Sequence, residues 1–168
     1  SWSRILPDGS YVNQAGIDYY NNLINELIEN GVEPMITVYH WDRPQYLQDI
    51  GGWTNPLISN YFEHYVDVLY KSFGDRVKRW ITFNEPYIFC HFGYGDGSHA
   101  PLVNQPGLGE YLCGHHVLQA HAKAYHLYKN TYSAEQKGQV GICLYSAYFY
   151  PLNENVNSSL ADQALHHM

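Results

Sequence analysis

The stretch RWITFNEPYIF, Arg79 to Phe89, decides the fold reading, because an apolar, β-branched run stops at an asparagine, a glutamate and a proline. Trp80, Ile81, Thr82 and Phe83 are good strand formers, and Pro86 cannot donate to a sheet ladder, so the strand must end at the carboxylate. Glu85 therefore stands at the C-terminal tip of a strand. Because proline disfavours the helical region for the residue before it, an extended backbone that aims the Glu85 side chain is expected.

Working outward, the same pattern recurs on both sides. Upstream, QAGIDYYNNLINELIENG places Ile17, Tyr20, Ile24, Leu27 and Ile28 at helical spacing, with Gly31 where a C-terminal cap belongs. It leads into VEPMITVYHWD, a nearly continuous apolar run of the kind found in strands buried on both faces. A second helix is expected from Asn55-Pro56 to Gly74, and a third near Tyr111 to Tyr132 after a Gly-rich loop. A last strand is expected in QVGICLYSAYFYPL, while the opening SWSRI reads as the end of a strand already under way, in a chain without an initiator Met. Strands alternating with helices give an α/β fold with a parallel sheet and crossover helices, here a single domain over residues 1–168. In such folds active groups gather beyond the C-terminal ends of the strands.

Composition narrows the partners. A formal charge of −7, with only 9 Lys and Arg, argues against nucleic acid, whose phosphates need a basic surface. No apolar run approaches the ~20 residues of a membrane helix. Aromatic residues make up 16% of the chain, and rings with a flat apolar face and a polar edge suit sugars, although most belong in a core. Cys90, Cys113 and Cys143 match no zinc spacing and are expected to be buried thiols. The sequon Asn157-Ser158-Ser159 is a usable glycosylation site if the protein is secreted.

At the strand tips Arg4, His40, Trp41, Asp42, Asn84 and Glu85 are expected to converge on one rim. Glu85 suits a general acid in glycoside cleavage, and Asn84 suits a donor to the sugar hydroxyl beside the reacting carbon. His40 can bond a hydroxyl while Trp41 stacks on the ring, Arg4 can orient a carboxylate, and Asp42 reads as structural. Each has a plainer role available: a salt-bridged Glu, a histidine bonded to backbone, a surface arginine. His115, His116 and His121 have poor metal-ligand geometry, and no phosphate loop or nucleophile elbow is present, so no metal or cofactor is expected.

The segments SWSRILPDG, YHWDRPQYLQDIGGW and TFNEP follow the order and spacing of the family 1 glycoside hydrolases, the β-glucosidase family. GYGDGSHAP followed by GEYLCGHHVLQAHAKAYHLY resembles its animal members. The resemblance implies a (β/α)8 barrel, of which this chain covers roughly strands two to five, and a retaining β-glycosidase acting on a small β-glucoside or oligosaccharide. By motif match Glu85 takes the acid/base position, Asn84 the 2-hydroxyl contact, His40 and Trp41 the glycone site, and Arg4 the support of the nucleophilic carboxylate. Retaining cleavage also needs a second carboxylate about 5 to 5.5 Å from the first, which the family carries in a later Glu-Asn-Gly tip. That residue is expected beyond Met168, leaving the 168-residue chain inactive and poorly folded alone. Arg43, where the family commonly has leucine, is expected to alter the rim. The alternatives are a thioglucosidase of the same family or a barrel that binds sugar without turning it over; a secreted location is expected.

Overall fold

The computed structural model describes residues 1–150, 159 and 162–164, so the sequon at Asn157 lies outside the described residues. Its elements run α1 (Trp2–Ile5), α2 (Gln14–Glu29), β1 (Met35–Tyr39), α3 (Gln45–Asp49), α4 (Ile58–Phe73), β2 (Arg79–Asn84), α5 (Pro86–Cys90), α6 (Gly109–Leu127), α7 (Ser133–Gln136) and β3 (Gln139–Cys143). The three strands form one parallel sheet in the order β1-β2-β3, with Tyr39 opposite Phe83 and Asn84 opposite Cys143. α4 and α6 are the crossovers that parallel pairing requires.

Two expected strands differ from this. SWSRI is helical: Leu6 N–H donates to the Trp2 carbonyl at 2.8 Å, and the Trp2 ring stacks on Tyr65 with centroids 5.0 Å apart. This segment satisfies its backbone with its own carbonyls and buries its indole. The last strand stops at Cys143. β1 is also less buried than a two-sided apolar run implies, with Met35 61% exposed; among the described residues it pairs on one side only, with β2.

The end of α2 follows the cap read from Gly31. Gly31 sits at φ +74° with its N–H on the Ile28 carbonyl at 2.9 Å, and Val32 N–H reaches the Leu27 carbonyl at 2.8 Å. This pair of bonds is the Schellman closure, and only glycine adopts its backbone cheaply. α4 then presents Phe62, Tyr65, Val66, Leu69 and Phe73 to the sheet. Phe62 stacks on Phe83 at 4.5 Å, and Trp53 meets both Tyr39 and Phe83 edge-on, so an aromatic core lies directly under the ends of β1 and β2.

Candidate active site at the strand tips

Glu85 follows directly on β2 as the residue before α5, but its backbone is left-handed, at φ +49° and ψ +64°, and not extended. Pro86 disfavours the right-handed region at Glu85, and the chain must turn from strand to helix within one residue. Glu85 N–H donates to the Cys143 carbonyl of β3 at 2.8 Å, while its own carbonyl accepts from Ile88 N–H at 3.0 Å. Both demands are met in the left-handed well, which few non-glycine residues adopt. Trp41, just past β1, does the same at φ +75°.

These two turns bring four of the candidate residues together. The Trp41 indole N–H donates to the Asn84 backbone carbonyl at 2.8 Å, tying the β1 tip to the β2 tip. The Asn84 amide lies 3.3 Å from His40 Nε2 and 3.4 Å from a Glu85 carboxylate oxygen. That amide nitrogen only donates, so in a bond between the two His40 Nε2 is the acceptor. His40 and Trp41 are exposed, whereas Asn84 and Glu85 are half-buried, so the group opens to solvent with the carboxylate set back. A hydroxylated ligand would meet an imidazole, an indole face, an amide and a carboxyl group on one rim.

Arg4 stands apart from the four: its guanidinium lies 4.4 Å over the Tyr19 ring of α2. Asp42 accepts a hydrogen bond from Ser1 Oγ at 2.7 Å, a structural use. Arg43 does not alter the rim but turns inward, with Nη1 3.2 Å from the Tyr39 hydroxyl, a second bond to Gln48 and its charge 5.6 Å from the Tyr94 ring centre. Buried Tyr94, its pKa pushed up to about 12 by desolvation, accepts the Trp53 N–H at 2.9 Å and donates to Gln48 at 3.1 Å. A Cβ on Gly52 would collide with Gln48, Tyr94 and Arg43, which explains a glycine before Trp53.

The histidines of α6 go to separate partners. His116 Nδ1 lies 2.8 Å from the Trp53 carbonyl, His115 contacts Gln119, and His121 Nδ1 lies 2.8 Å from Thr82 Oγ1. Burial lowers the His121 pKa. Among the described residues no His, Cys, Asp and Glu group is arranged to hold a metal.

The cysteines correct the sequence reading. Cys90 at the end of α5 and Cys113 on α6 form a disulfide, with Cα atoms 5.5 Å apart, and Cys143 alone is free. Their separation of 23 residues signalled nothing by itself; the loop after α5 folds back to bring α6 alongside.

The profile described as Glycosyl hydrolase family 1 matches residues 1–168. Myrosinase 1 of Brevicoryne brassicae is 52% identical over 91% of this chain and 33% of its own length. The cytosolic beta-glucosidase of Cavia porcellus is 45% identical over 98% of this chain and 35% of its own. Among solved structures, the beta-glucosidase from Thermotoga maritima in complex with deoxynojirimycin superposes with a TM-score of 0.88 at 41% identity, covering all of this chain and 37% of that one. The chain thus spans about a third of the length of these relatives.

Proposed function

Because the chain belongs to glycosyl hydrolase family 1, whose barrel it forms in part, we propose that the protein carrying it is a retaining β-glycosidase that hydrolyses small β-glucosides. The observation that carries this reading is the Asn84-Glu85 tip, with a half-buried carboxyl group beside an amide and opposite His40 and Trp41. Glu85 protonates the departing aglycone oxygen while a second carboxylate, outside these residues, attacks the anomeric carbon. Glu85 then takes a proton from water, whose oxygen displaces the enzyme carboxylate and releases glucose with retained configuration. Asn84 bonds the 2-hydroxyl, and His40 and Trp41 hold the ring; the support of the attacking carboxylate by Arg4 has no observation behind it, since its guanidinium lies over Tyr19. Residues 1–168 are part of one barrel domain. The Cys90–Cys113 bond supports a secreted location, since disulfides persist in oxidising compartments.

Replacing Glu85 with Gln in the full-length protein should lower kcat/KM for glucosides with poor leaving groups by about 10²- to 10⁴-fold. A dinitrophenyl glucoside, whose leaving oxygen needs no proton, should lose little. Equal losses on both would remove Glu85 from the acid role. Thioglucoside hydrolysis is the second reading, favoured by the 52% identity to Myrosinase 1. Turnover of a thioglucoside ahead of the matching O-glucoside would establish it. Binding of glucose analogues without any turnover would point to a sugar-binding barrel.

A further inference from the structure

A left-handed glutamate persists only where its surroundings over-determine it. On its N-terminal side Glu85 is held by β2 and by the bond to Cys143. On its C-terminal side lies α5, 5 residues that run on into a π-helical segment over His91–Gly95, and a helical stretch that short is marginal on its own and must be held by its packing on α6. Midway along that stretch Cys90 is bonded to Cys113 on α6, a helix of 19 residues packed against α4. Both cysteines are buried, at 4% and 0% exposure, so the tie is made inside the packing and not across a loose surface.

We infer that Cys90–Cys113 is a positioning pair for Glu85, bracing α5 against α6 so that the carboxyl group keeps its aim at the departing oxygen. This rests on the acid/base reading above. Bracing matters because proton donation demands alignment within a hydrogen bond's tolerance, and a small displacement of the acid costs rate only where the proton is needed. A bridge acting only through chain entropy would raise stability and leave all substrates alike.

The test compares the full-length protein with its Cys90→Ala/Cys113→Ala variant and with the two single variants, Cys90→Ala and Cys113→Val, well below their unfolding temperatures. With the pair broken, kcat/KM for a poor-leaving-group glucoside should fall about tenfold. For a dinitrophenyl glucoside it should stay within about twofold. Wild-type protein produced under reducing conditions, with both thiols confirmed free by mass, should reproduce the split, and oxidation to the disulfide should reverse it, which covers the case of a variant that does not fold. Equal losses on both substrates, unchanged rates with a lowered Tm, or peptide mapping that finds both thiols free would each overturn the inference. Glu85→Gln separates the layers: if it splits the substrates and the cysteine variants do not, only the bracing role fails; if it does not split them, the acid role fails first.

Discussion

Three of the four tryptophans, Trp2, Trp53 and Trp80, are buried, and among the described residues their indole N–H groups have no hydrogen-bond partner. The fourth, Trp41, is 38% exposed, has a left-handed backbone, and has its N–H bonded to Asn84. The difference separates two regions with opposite priorities. In the core, burying an indole gains about 4–6 kcal/mol from area, more than the ~1–3 kcal/mol an unpaired donor costs, so packing wins. At the rim the area term is small, and the chain accepts a strained backbone at Trp41 and Glu85 to place an indole and a carboxyl group.

The comparison can be broken from the core side first. Trp53→Ala should cost about 3–5 kcal/mol in denaturant unfolding, because the ring touches Trp2, Tyr39, Phe62, Phe83 and Phe89. A loss below ~1 kcal/mol would mean the site collapses and the core is not the close-packed unit described. At the rim, Trp41→Phe keeps a ring but removes the donor to Asn84; stability should fall by only about 1 kcal/mol, while KM for the glucoside rises. If stability dropped as far as in Trp53→Ala, Trp41 would belong to the core.

The smallest effect concerns His121, which sits between the two regions on Thr82. Its folded pKa is depressed by burial, so folding favours the neutral ring. That stability is complete above the ordinary value of 6.5 and is lost as pH falls through it, because the unfolded chain takes up the proton first. His121→Gln should flatten the stability profile on the acid side of 6.5. A profile unchanged by the substitution would show that other groups set the acid slope.

What the sequence made legible follows the same division. Helical spacing in α2 and α4, the glycine cap at Gly31 and the apolar run of β2 were readable because each reports a local preference that tertiary structure reinforces. The helix at Trp2–Ile5 was not, since its residues fit a strand equally well and only the stacking on Tyr65 decides. At the site, the residue types at the tips were legible, and the meeting of His40 and Trp41 with Asn84 and Glu85 followed from the parallel order, whereas Arg4 lies over Tyr19 instead. The sign of φ at Glu85 was hidden, because proline excludes one region without choosing between the remaining two. The Cys90–Cys113 pair and the inward turn of Arg43 depend on contacts between elements far apart in the chain, which no spacing rule encodes.

The claim that the rim trades backbone ease for placement is tested most directly by Glu85→Gly in the full-length protein, followed by thermal unfolding and by activity. Glycine tolerates φ +49° without a Cβ penalty, so stability should hold or rise by up to about 1 kcal/mol while hydrolysis of poor-leaving-group glucosides collapses. A Tm that falls clearly below wild type would contradict the account, showing that the Glu85 side chain stabilises the fold and that its backbone is not held there at a cost.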